Sequence, residues 1–230
     1  MMAFFPFFSY STIPVSLKTL LALFLTIFLY PQAVLNIQDI TLSTIVLSVL
    51  SEIMFGFVAG LILQIIFGAL GLAGEQISFV MGFSMATSID PMNGVNSPLI
   101  GRFLSFIAIL LLLIFNGHLL MLKFIALSMG KITLGSFYPH QFVWDYITKS
   151  ISDMFMLGFI LSFPIIALSL LSDVIFGMLM KTMPQFNLLV VGFPIKITIS
   201  LFVMVVILGS IMYIFKNEFL SALSHLMILL

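Results

Sequence analysis

Apolar residues run through this chain in long unbroken stretches, at about residues 17–35, 45–72, 103–122, 154–171 and 197–215, with a shorter one at 219–230. Alternation of the strand type is missing, because the runs are apolar on all faces. A span of hydrocarbon needs about 20 residues and every backbone amide in it needs an internal partner, so the five long runs predict membrane helices and the sixth is too short to cross alone. Prolines interrupt the set. Pro31 stands near the end of the first run, Pro164 sits inside the fourth and Pro194 opens the fifth, predicting bent or broken helices. The pattern as a whole predicts an all-α membrane protein of helical hairpins with broken helices, forming one domain over residues 1–230.

Two polar interruptions divide the apolar pattern. The first, residues 74–102, mixes Glu75, Gln76, Asp90, Asn93 and Asn96 with Phe79, Met81, Phe83 and Met85, then carries helix-stopping pairs at Asp90-Pro91, Asn93-Gly94 and Ser97-Pro98. It fits neither a span nor a solvated loop. Two readings follow from its residues: an interfacial loop, or a flexible apolar element that folds back and closes a pore by excluding water. Glu75 and Gln76 are expected to close the preceding helix. The second interruption brackets a short apolar run between Pro184 and Pro194 and contains Gln185 and Asn187, which reads as a re-entrant or helix-break element. A third, smaller break is Asn116-Gly117-His118 inside the third run; its polar atoms need partners within the protein, and interhelical hydrogen bonding is favoured over a metal or proton site.

Composition fixes the solvent. Hydrophobic residues make up 62% of the chain and charged residues 7%, with mean hydropathy +1.33. A soluble domain carries roughly 25% charged residues, so this surface faces lipid or other subunits. The net charge is zero and no basic run could track phosphates, which argues against nucleic-acid binding. The lysines and arginine tie between alternate sides of a five-span arrangement: Lys18, Arg102, Lys181 and Lys196 against Lys123, Lys131, Lys149 and Lys216. Absence of cysteine removes thiolate catalysis and disulfides. His118, His140 and His225 have no partner at helical spacing, and no metalloprotease or phosphate-loop motif is present, so neither an enzyme nor a cofactor or metal site is expected.

Within the runs, Glu52 in LSEIMFGF is the clearest ionisable residue. It would form an intramembrane ion pair with a lysine or carry protons, and pairing is favoured because no carboxylate follows at i+3 or i+4. Asp173 beside the fourth run is weighed in the same way. Gly56, Gly60, Gly68, Gly71 and Gly74 place small residues along the second run, with Gly56 and Gly60 expected where another helix backbone approaches.

Three blocks carry a resemblance to a known family. The first is A-G-E-x-I-x-F-x-M-G-F-S-x-A-T-x-x-D-P over residues 73–91, followed by Asn96-x-Pro98; the second is Asn116-Gly117-His118-Leu119; the third is Met183-Pro184-Gln185 with Gly192-Phe193-Pro194. In that order they resemble the FliR family, the flagellar members of the type III secretion export-apparatus proteins, over essentially the whole chain. The resemblance implies a non-enzymatic core subunit of an export gate in the bacterial inner membrane at the flagellar basal body. It implies FliP-like and FliQ-like partners, an associated FlhB-like protein and unfolded flagellar proteins in transit. A long plug loop over residues 76–98 would close the pore, with Gln76, Phe79, Met81, Gly82, Phe83, Met85, Asp90, Pro91, Asn96 and Pro98 as its residues. Members of the family generally carry another apolar segment before the region matching residues 6–18, so either the family's first helix is absent here or the chosen start of the chain is late. An injectisome homologue and, more distantly, a secondary transporter with broken helices remain the alternatives.

Overall fold

The computed structural model describes residues 14–34, 41–83, 98–139, 141–183 and 188–228. These residues are almost entirely helical, with no strand among them. Helix α1 is Val15–Leu29, ending in a 3-10 turn Tyr30–Gln32; α2 is Leu42–Met81, α3 Leu99–Ile114, α4 Gly117–Lys131 and α5 Gln141–Thr182. A single π-helical turn, Leu188–Gly192, leads into α6, Phe193–Ile228. Four helices are long and apolar enough to cross a membrane, and a fifth span results if α3 and α4 count as one span bent by 69°.

The helices outrun the hydropathy pattern. At 1.5 Å per residue the 40 residues of α2 extend roughly 60 Å, about twice a hydrocarbon core. Pro164 lies inside α5 without ending it. Pro194 is the second residue of α6, where its missing N–H removes no helical bond. The fifth and sixth apolar runs merge in α6, because nothing between Phe215 and Phe219 stops a helix.

Two compact units result, and several helices contribute residues to both. The first comprises Met1–Phe67, Ile109–Ser152 and Lys216–Leu230. Its organising feature is the turn between α4 and α5, held from two directions. Val34, just beyond the 3-10 turn, donates its amide to the Met129 carbonyl (3.2 Å) and accepts from the Leu134 amide (3.1 Å). From α2, the Ser51 hydroxyl donates to the Phe137 carbonyl (2.7 Å) and the Glu52 carboxylate accepts from the Gly135 amide (2.9 Å). Gly135 has φ of +82° and lies against Ser48, so only glycine fits there without strain. Phe55 packs on Phe124 and Phe137, with ring centroids 6.2 and 5.0 Å apart.

The second unit comprises Gly68–Ala108 and Asp153–Phe215. Leu70, Ala73, Ile77 and Met81 form the inward stripe of α2, and Leu104 and Ala108 that of α3; all are essentially inaccessible. Two close approaches set the packing. A Cβ on Gly74 would strike the Gly101 backbone, so α2 and α3 touch main chain to main chain. Helix α5 crosses beside them, with Gly68 against Met154 and Gly158 against Leu72 and the Ala69 carbonyl. Glycine allows such contact, and close packing is what associates helices where lipid removes the hydrophobic drive.

Two outcomes follow. Gly74→Ala has only backbone to displace and should lower stability by about 1–3 kcal/mol, whereas Gly71→Ala, with nothing within 4 Å, should stay within about 0.5 kcal/mol; unfolding by SDS titration in mixed micelles reads the difference. Glu52→Ala leaves the Gly135 amide without its acceptor and should cost about 1–3 kcal/mol. Glu52→Gln keeps a side-chain carbonyl oxygen for that amide and should restore most of the loss in the same titration.

Candidate functional site

The site begins at the end of α2. Glu75 and Gln76 do not close that helix: it continues to Met81, so Gln76, Phe79 and Met81 belong to its last turns rather than to a loop. The reason lies on both faces. Ile77 and Met81 are fully buried at i and i+4, and the outer Glu75 and Gln76 are good helix formers in their own right. Neighbouring α5 then pairs two polar groups of this segment, the Gln76 side chain and the Val80 carbonyl. The Ser162 hydroxyl, on a fully buried side chain, donates to the Gln76 amide oxygen, and Ser169 donates to the Val80 carbonyl (3.1 Å), one of the terminal carbonyls a helix leaves unpaired.

Gly82 ends α2. Its φ is +88°, the left-handed conformation that terminates helices at glycine, and its amide donates to the Phe79 carbonyl at 3.1 Å. A Cβ on Gly82 would lie 3.2 Å from the Phe193 ring. The second interruption therefore meets the first: the π-helical turn delivers Phe193 against the residue at which the chain leaves α2. Single π turns occur frequently at functional sites. Gly192, the last residue of that turn, is buried, and Pro194 follows within α6.

One turn beyond Phe193, Lys196 forms an ion pair with Asp173 of α5, Nζ lying 2.7 and 2.8 Å from the two carboxylate oxygens. This is the one ion pair among the described residues, and its acid is Asp173, weighed in the sequence alongside Glu52. The Glu52 carboxylate accepts from the Gly135 amide, beside a cavity of about 170 Å³ that Gly56 also lines. Gly56 and Gly60 are buried.

On the other side of the first interruption, Pro98 precedes α3 and its carbonyl accepts from the Arg102 amide (3.1 Å). Phe79 is 72% exposed, in contrast to Met81, and Phe83 is half-buried. Met85, Asp90, Pro91, Asn96, Pro184 and Gln185 lie outside the described residues. Met183 is exposed and donates its amide to the Leu179 carbonyl at 2.7 Å.

Asn116-Gly117-His118 proves to be a corner. Asn116 has φ of +58°, and its carbonyl accepts the first amides of α4 from Leu119 and Leu120 (2.9 and 3.1 Å). A Cβ on Gly117 would meet Leu112 and Phe115 at 2.6–2.8 Å, so the bend needs glycine there. The corner is thus made by main-chain groups: the Asn116 side chain makes no cap hydrogen bond.

Residue spacing missed four participants: Ser162, Ser169, Gly101, and Lys196 as the partner of Asp173. The serines do carry a signal, since a separation of seven puts them on one face of α5. No spacing rule links Lys196 to Asp173 or Gly101 to Gly74.

Residues 1–222 match the family described as bacterial export proteins, family 1. The chain is 37% identical to the flagellar biosynthetic protein FliR of Bacillus subtilis over 172 residues, covering 73% of this chain and 66% of that protein. It is 34% identical to the FliR of Pectobacterium carotovorum over 198 residues, covering 85% of this chain and 75% of that protein. With the FliR of Escherichia coli it shares 29% identity over 206 residues, 90% of this chain and 79% of that one. On these grounds the chain belongs to family 1 of the bacterial export proteins, the family of the flagellar biosynthetic protein FliR.

Proposed function

We propose that this chain is a core subunit of the flagellar type III export gate, forming the secretion channel with FliP-like and FliQ-like subunits beside an FlhB-like protein in the bacterial inner membrane at the basal body. Residues 1–230 act as one export-gate domain without catalysis of their own, and unfolded flagellar proteins pass through the channel. The observation that carries this reading is the family match over residues 1–222, joined by relatives named as flagellar biosynthetic proteins.

The surface supports a subunit rather than a self-sufficient channel. Within the candidate spans, only 6% of the α1 window, 28% of the α5 window and 22% of the α6 window is buried. Large apolar side chains such as Phe24, Phe155, Phe159 and Phe202 stand exposed, an area that lipid or other subunits must cover. The charge pair Asp173–Lys196 is a feature that a secondary transporter would also carry, but the family assignment and the names of the relatives argue for export.

The plug is assigned to the segment after Gly82, with Gln76, Phe79, Met81, Gly82 and Phe83 as its root and Met85, Asp90, Pro91, Asn96 and Pro98 beyond. Support comes from the clamped base. The hairpin of α2 and α3 is fixed at Gly74–Gly101, and Gly82 is seated on Phe193, so the root is rigid where a pore-closing element needs a fixed hinge.

Two measurements test this. The tagged chain should copurify from membranes with FliP-like and FliQ-like polypeptides; a monodisperse chain that folds alone and retains neither would contradict the assignment. Deletion of residues 84–93, which spares the buried Met81, should leave that copurification intact and raise the ion conductance of the complex in planar bilayers. Conductance equal to that of the intact complex would sink the plug.

A further inference from the structure

The partners in the Asp173–Lys196 pair are unequally covered. The Lys196 side chain is 8% exposed, the Asp173 side chain 52%. Lysine reaches the carboxylate from inside the second unit, while half of the acid looks outward from α5. A carboxylate has about four acceptor positions, and Lys196 engages one on each oxygen.

What surrounds the outward half is apolar. Leu170, Val174 and Met178 are all more than half exposed. One turn after Asp173, on the same side of the helix, comes Gly177, exposed and with no atom within 4 Å of where a Cβ would sit. The face therefore combines a carboxylate with unspent acceptor sites and a notch one residue wide, both set among large apolar side chains. Lipid tails suit neither feature. They give no hydrogen bond to a carboxylate, and an exposed glycine in a helix interior loses stability relative to alanine unless something packs closely against it.

We propose that the outward face of α5 around Asp173 and Gly177 is an interface for an apolar membrane helix of another polypeptide, which donates an N–H or O–H group to Asp173 and lays its backbone into the notch at Gly177. The occupant is defined by this complementarity: a helix apolar enough to meet Leu170, Val174 and Met178, carrying one basic, hydroxyl or amide side chain at the level of Asp173. Lys196 is then a positioning residue that holds the carboxylate ready for its second donor. This inference rests on the reading of the chain as a subunit of a multi-subunit gate, and it adds the face through which one neighbour is held.

The test uses the complex as isolated from membranes. A photo-reactive phenylalanine analogue replaces Met178, which is 67% exposed. Irradiation should give a covalent adduct with a second polypeptide, and adding Gly177→Leu should abolish most of that adduct; adducts with lipid alone, or an adduct unaffected by Gly177→Leu, would overturn the proposal. A second arm removes both charges together with Asp173→Leu and Lys196→Met, so that no lysine is left buried alone. The double variant should accumulate in the membrane as the parent does but lose the crosslinked partner. Full retention of that partner overturns the proposal, and if the double variant fails to accumulate, the Met178 crosslink in the otherwise unaltered chain decides. A parent complex that holds no second polypeptide at all would instead refute the export-gate reading itself.

Discussion

The contact on which most of this structure depends is main chain against main chain, where Gly74 of α2 meets Gly101 of α3. Lipid tails are as apolar as leucine, so helices gain nothing by hiding leucines from them and associate through close packing and hydrogen bonds. The approach depends on glycine at position 74, where a Cβ would strike the Gly101 main chain, whereas a Cβ on Gly101 would make only ordinary contacts, 3.4 Å from the Gly71 carbonyl oxygen. That single crossing brings the chain back beside α2 after residues 84–97 and leaves the opposite flank of α2 open for α5. The register of α5 then follows from Gly68 on Met154, Gly158 on Leu72, Ser162 on Gln76 and Ser169 on Val80, a parallel sequence of contacts climbing both helices together. Phe193 closes the series against Gly82.

The polar residues inside this apolar chain mostly serve the backbone. Ser51 and Glu52 hold the turn after α4, Asn116 turns the chain between α3 and α4, and Ser169 donates to a terminal carbonyl of α2. In a medium without water each such group would otherwise be left unpaired. Against this background Asp173 stands out, because its bonds to Lys196 satisfy only its inward side.

Much of the fold was legible in the sequence, since uninterrupted apolarity can only mean helix in lipid. The interruption at Asn116-Gly117-His118 was legible as polar residues in an apolar run, but the corner was not, because it rests on the positive φ of Asn116, which hydropathy does not register. Nor was the end of α2. Glu75 and Gln76 look like a stop because they are polar, yet both favour helix, and the true stop is the positive φ of Gly82, which hydropathy does not register. Of the candidate plug, Gln76, Phe79 and Met81 accordingly became helix. The glycine run pointed to α2 as a packing helix without saying which glycine meets what: Gly74 meets the Gly101 backbone, and no spacing within α2 identifies that partner. Asp173 and Lys196 are 23 residues apart, a separation that carries no local rule.

Helix α2 runs unbroken into the first polar interruption as far as Met81, held by contacts from α3, α5 and Phe193. Amide hydrogen exchange on the membrane-extracted complex tests this continuity. The amides of residues 76–81 should be protected as strongly as those of the apolar stretch at residues 62–70, with protection ending at Gly82. Exchange across residues 76–81 as fast as in an unstructured peptide would contradict it.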